Sequence, residues 1–120
     1  MIHGAIYNNR PLIPLTIARQ LKVQDVTALI DTGFTGELKI SSKEAKSLGI
    51  ETTHTELVTL ADEKTVDMAA GLAEVSMEGL QIAVEVLISE GDPIIGVGLL
   101  RKFGYILTIN FPASTVSLKR

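Results

Sequence analysis

TALIDTGFTGELKI, residues 27–40, runs a branched apolar stretch straight into a carboxylate, Asp31, and then into a turn that carries two glycines. A half-buried carboxylate costs free energy unless something pairs with it or hydrogen-bonds to it. What the rest of the chain brings to that spot therefore decides the fold and the chemistry. Upstream, residues 12–17 (LIPLTI) and 26–30 (VTALI) read as short strands, with the polar run 19–25 as their hairpin connection. Downstream, Leu38-Lys39-Ile40 reads as a brief strand. In SSKEAKSLG, Ser41 and Glu44 have capping-box spacing and Gly49 sits where a C-cap glycine would, so the spacing predicts a short helix over 42–48.

The pattern continues in short strands. Residues 56–60 and 65–75 flank the polar Asp62-Glu63-Lys64, which predicts a long hairpin with its tip in solvent. Glu78-Gly79 reads as a tight turn, and residues 80–88 alternate as a strand with one buried face. Ile94-Ile95 reads as a brief buried strand, Gly96 as a break, 98–103 as a two-turn helix and Gly104 as its C-cap; 105–111 and 115–118 close the chain as strands. Strands this numerous, with no alternating βα rhythm, argue against a doubly wound parallel sheet. They predict an all-β domain, a closed or barrel-like antiparallel sheet with one or two short helices.

A length of 120 residues suits one domain, 1–120, with one core. An apolar fraction of 46% against 21% charged residues argues for a folded chain, and two Tyr, three Phe and no Trp leave aliphatic side chains to fill it. A net charge of −3 without a Lys/Arg cluster gives no footprint for nucleic acid or an anionic membrane. The absence of cysteine excludes disulfides, thiol nucleophiles and thiolate metal sites. The start, MIHGAIYNN, has neither a basic n-region nor an apolar h-region, and no stretch approaches the ~18 apolar residues of a membrane span. The expectation is a cytoplasmic protein.

Most familiar site motifs fail on inspection. GVGLLRKFG, residues 96–104, has Arg101 where a dinucleotide fingerprint needs glycine, and no Walker-type phosphate loop occurs. His3 and His54 are isolated along the chain, so no metal is expected, and the serines at 41 and 42 read as helix caps. Asp31-Thr32-Gly33 alone is an ordinary strand-to-turn corner, since all three residue types favour turns.

The combination is more specific. Ala28-Leu29-Ile30-Asp31-Thr32-Gly33 and, some sixty residues later, Ile94-Ile95-Gly96 followed by Leu99-Leu100 resemble the paired motifs of retropepsin-like aspartic proteases, notably the small single-domain bacterial members. The resemblance extends over nearly the whole chain. It implies that Asp31 is the catalytic carboxylate and that Thr32 and Gly33 shape the active-site loop. It further implies that Ile94, Ile95 and Gly96 pack beside that loop, and that the tip Ala61, Asp62, Glu63, Lys64 and Thr65 is a flap over substrate. Phe34-Thr35-Gly36 and Val97-Gly98 depart from the retroviral pattern, which has alanine and acidic residues at the first and Arg with Asp or Asn at the second.

Metal-free peptide hydrolysis needs one carboxylate to take a proton from water and another to hold a proton for the carbonyl oxygen. Like charges ~3 Å apart share one proton, which supplies both states. With one D-T-G per chain, the resemblance implies a two-fold homodimer that joins Asp31 to its copy, an extended peptide as substrate and no cofactor. The alternative is a catalytically silent module that holds peptides in the same groove.

Overall fold

Branched residues at alternate positions carry most of the chain into strands. The computed structural model describes residues 1–60 and 62–120. Its elements are β1 (Ile2–Tyr7), β2 (Arg10–Arg19), β3 (Lys22–Ile30), β4 (Leu38–Ile40), α1 (Ser42–Leu48), β5 (His54–Thr59), β6 (Thr65–Met77), β7 (Leu80–Ile88), β8 (Ile94–Ile95), α2 (Val97–Phe103), β9 (Ile106–Asn110) and β10 (Thr115–Lys119).

The strands form one sheet in the order β5-β6-β7-β4-β8-β3-β2-β1-β10-β9. A further pairing of β2 with β6, Thr16 opposite Ser76 and Ala18 opposite Glu74, closes six of these strands into a ring. Two contacts in the ring are parallel, β3 with β8 and β4 with β7, while β4 meets β8 antiparallel. Through them β8 is clamped between the end of β3 and β4, with Ile30 opposite Ile95 and Lys39 opposite Ile94.

Local chemistry sets the boundaries. Ser41 Oγ accepts from Glu44 N at 3.2 Å and Glu44 Oε1 accepts from Ser41 N at 3.0 Å, so the capping box opens α1 as its spacing required. Gly49 at φ +70° ends it in the left-handed region, where a side chain would be strained. The hairpin between β2 and β3 turns on Gln20-Leu21 alone, so the polar run 19–25 lies mostly within strands that project past the core. β1 was not legible in the sequence, because His3-Gly4-Ala5 has little strand character; it is held by β2 on one side and β10 on the other.

Two apolar clusters result. Inside the ring, Ile13, Ile17, Ile30, Leu38, Ile40, Val75, Val86, Ile95 and Leu99 form the main core. Phe34, Val58, Ala70 and Leu87 form a smaller one, joined by Leu60, Val66, Met68 and Ile94. The end of β7 is therefore buried on both faces, Val86 toward the main core and Leu87 toward the smaller cluster, rather than on the single face that its alternation suggested. No helix among the described residues is long and apolar enough to cross a membrane.

Candidate active site

Asp31 stands at the first position after β3, half-buried, where the strand leaves the ring. Its own N–H donates to Ile95 O at 3.0 Å, which continues the parallel pairing by one step, and its carbonyl accepts from Phe34 N at 3.1 Å. Oδ1 accepts from Gly33 N at 2.9 Å, an Asx turn that fixes the side chain on its own loop. Among the described residues nothing bonds Oδ2. The carboxylate is held by one oxygen and presents the other. Thr32 is exposed, and its hydroxyl makes no hydrogen bond among the described residues.

The loop after Asp31 is locked to the N-terminus of α2. Val97 N donates to Phe34 O at 2.9 Å, Gly98 N to Gly36 O at 3.1 Å and Gly96 N to Glu37 O at 3.2 Å. The approach is so close that a Cβ on Gly96 would lie 2.2 Å from Gly36 O, and one on Gly98 2.8 Å from the same atom. Both glycines lie at negative or extended φ or within the helix, so the requirement is space and not backbone conformation. This accounts for glycine at 98, where the retroviral pattern has a carboxylate or amide. The Phe34-Thr35-Gly36 loop occupies the room that larger side chains would need. Ile94, Ile95 and Gly96 thus do adjoin the Asp31 turn.

Beside Asp31 lies a small cavity of about 80 Å³, lined by Asp31, Gly33, Phe34, Lys39, Leu60, Met68 and Ile94. Leu60 and Met68 come from the hairpin of β5 and β6, paired from His54 opposite Ala70 to Thr59 opposite Thr65. Its turn is closed by Leu60 N to Lys64 O at 2.8 Å and by Lys64 N to Asp62 Oδ1 at 3.1 Å. Asp62, Glu63, Lys64 and Thr65 are exposed and none lines the cavity; Ala61 lies outside the described residues. The hairpin meets the Asp31 cavity through Leu60, where its turn begins, and Met68, midway along the paired part of β6, side chains that sequence patterning did not single out.

Lys39 is the one buried charged residue among those described, 8% exposed. It sits between Leu38 and Ile40 on β4 but faces the opposite way, toward Leu87 and Ile94 of the smaller cluster. Its Nζ donates to Glu90 O at 2.7 Å. Burial pushes its pKa below the usual lysine value, against the opposing pull of Asp92, Glu44 and Glu90.

His54 is not isolated in space. Its Nε2 lies 2.8 Å from Glu85 Oε2 and 3.5 Å from Glu56 Oε1, at the foot of the hairpin. These three side chains are the one group among the described residues with the spacing to hold a cation. The i, i+2 spacing of His54 and Glu56 on one strand face was the available signal. A larger hollow of about 450 Å³ lies at the other end of β2 and β3, against Thr16, Asp25, Ser76 and Glu78. Asp25 is six residues up the strand, about 20 Å from Asp31, so that hollow is separate from the D-T-G turn.

Comparison with known proteins bears on the family and the fold. A family model described as aspartyl protease matches residues 13–101, from β2 into α2. The chain is similar to the crystal structure of a retropepsin-like aspartic protease from Rickettsia conorii, at 17% identity and a TM-score of 0.66 over 98% of this chain and 87% of that one. It is also similar to the EIAV protease complexed with the inhibitor HBY-793, at 17% identity and a TM-score of 0.61 over 85% of this chain and 97% of that one. Comparison with curated protein sequences gives no match. Identities this low speak for the fold alone, and the fold is retropepsin-like.

Proposed function

This chain belongs to the aspartyl protease family, and on that premise we propose that it is an aspartic endopeptidase, working without a cofactor as a homodimer that joins Asp31 of each subunit. The observation that carries the reading is the state of Asp31. One oxygen is tied to Gly33 N, the other has no partner among the described residues, and the side chain borders a cavity lined by Leu60 and Met68 of the hairpin. A lone carboxylate so placed has no second group to hold the other proton. No other carboxylate lines the cavity. A copy of the chain supplies one.

In the dimer the two carboxylates hold one proton between them, because close like charges cannot both ionise. The ionised Asp31 takes a proton from water while the water oxygen attacks the scissile carbonyl carbon. Asp31 of the partner subunit gives its proton to the carbonyl oxygen. Collapse of the tetrahedral species breaks the C–N bond, and a carboxyl proton passes to the leaving nitrogen. The exposed Thr32 hydroxyl is free to bond across the two-fold axis. The substrate is an extended peptide laid under the hairpin, whose exposed tip at 62–65, with Ala61, closes over it. We place the reaction in the cytoplasm.

Digestion of a peptide mixture over a pH series tests this. The expected rate is bell-shaped in pH, falling on the acid side as both carboxyls become protonated and on the alkaline side as both lose the proton. A rate that rises monotonically with pH would instead indicate a single general base.

A further inference from the structure

An imidazole and two carboxylates converge at the foot of the hairpin, away from the Asp31 cavity. His54 Nε2 lies 2.8 Å from Glu85 Oε2 and 3.5 Å from Glu56 Oε1, and all three donor atoms fall within 4.8 Å of one another. Among the described residues neither Glu56 nor Glu85 is paired with a Lys or Arg; Lys102 Nζ goes to Glu37 and to Ala83 O instead. The far side of the imidazole is held as well. Its Nδ1 lies 2.8 Å from Thr53 Oγ1, which has Ala70 O at 3.5 Å as an acceptor for its own proton. With the Nδ1 proton donated to Thr53, Nε2 turns its lone pair toward both glutamates. That is the tautomer a metal ion requires, and a hydrogen bond on the other ring nitrogen is its usual support.

The donor set and its spacing favour one class of ion. Ligands ~2.0–2.2 Å from a tetrahedral zinc stand about 3.3–3.6 Å from each other. The separations of 2.8 and 3.5 Å straddle that value, and the gap between the two glutamates, at most 4.8 Å, closes by rotation of half-buried side chains. One imidazole with two carboxylates suits Zn²⁺, whereas Mg²⁺ keeps to oxygen ligands in an octahedron. Partial exposure leaves the fourth position to water. The location gives such an ion a task. β6 pairs with β5 from Thr65 to Ala70 and with β7 from Ala69 to Met77, so the hairpin passes into the ring at Ala69-Ala70. His54 on β5 and Glu85 on β7 reach across that joint from opposite sides of β6.

We propose that His54, Glu56 and Glu85 form a Zn²⁺ site that staples the hairpin to the ring. None of the three lines the Asp31 cavity, so the ion braces the hairpin and takes no part in the hydrolysis. The site stands independently of the protease reading, and its test needs no substrate.

The probe is zinc chloride, titrated calorimetrically at neutral pH into the full chain free of any histidine tag, with magnesium chloride as the contrast. The expected result is one zinc bound per chain, with magnesium weaker by about 100-fold or more. His54→Gln and Glu85→Gln each weaken zinc by about 100-fold or more, at least the upper end of what residues one layer outside a metal site contribute. The chain has one other histidine, His3, exposed on β1, and His3→Gln leaves the affinity unchanged. Glu85→Gln keeps the shape of the side chain, and circular dichroism checks that each variant is folded. Hydrogen exchange supplies the second readout: zinc slows the amides of β5 and of β6 in the parent chain and not in Glu85→Gln. No zinc binding would leave His54 as a simple ion-pair partner of Glu85 and overturn the proposal. Binding that survives both substitutions, or binding that leaves the hairpin's exchange unchanged, overturns it equally.

Discussion

Replacing Asp31 with Asn lowers kcat/KM for peptide cleavage by about 10²–10⁴-fold, the usual contribution of general acid–base catalysis, and leaves the fold unchanged. The separation follows from the way Asp31 is held. Its Oδ1 serves as an acceptor for Gly33 N at 2.9 Å, and an Asn amide oxygen accepts the same bond. Asp31 N and O keep their bonds to Ile95 and Phe34, which involve only the main chain. What the amide cannot do is take or give the proton that water hydrolysis needs. Urea unfolding of Asp31→Asn should therefore stay within about 0.5 kcal/mol of the parent chain, so that lost activity reports on chemistry alone. Retained cleavage would remove Asp31 from the mechanism.

The second large effect is structural and lies some distance along the chain. Gly96→Ala places a Cβ 2.2 Å from Gly36 O and 2.6 Å from both Phe34 O and a Phe34 ring carbon. Two of these three atoms are main chain, and the ring is wedged in the smaller cluster at 7% exposure, so nothing yields cheaply. Relief requires moving the 34–36 loop away from α2. That would weaken the bonds Val97 N to Phe34 O and Gly98 N to Gly36 O, at 2.9 and 3.1 Å. Overpacking typically costs about 1–3 kcal/mol and a lost hydrogen bond about 1 kcal/mol, so a destabilisation of about 3 kcal/mol is expected. It should be read as a lower urea midpoint at constant slope. Because the same loop follows directly from Asp31, peptide cleavage falls with it. An unchanged midpoint would show that the loop and α2 are not locked as described.

Where the sequence could be read, the reason is local chemistry. The capping box at Ser41 and Glu44, the left-handed glycines at 49 and 104 and the Glu78-Gly79 turn each need only neighbours within a few residues. The Asp31 turn was legible for the same cause, and its partner at 94–96 because an apolar pair before glycine is distinctive. The cavity walls were not. Leu60 after β5, Met68 on β6 and Lys39 on β4 are brought together by the pairing of β5 with β6, β6 with β7 and β7 with β4, which no spacing along the chain encodes. Lys39 was the most misleading, since Leu38-Lys39-Ile40 has the alternation of a strand whose lysine faces water. The smaller cluster covers that face instead.

The central claim, that each working site takes one Asp31 from each of two chains, is tested most directly by mixing. Unmodified and Asp31→Asn chains are combined in equal amounts, unfolded and refolded together so that subunits redistribute, and assayed against the same total of unmodified chain. If two acids are required, only dimers with two unmodified subunits cut, and activity falls to about one quarter. If each chain works by itself, activity falls to about one half, and the paired-acid account is wrong.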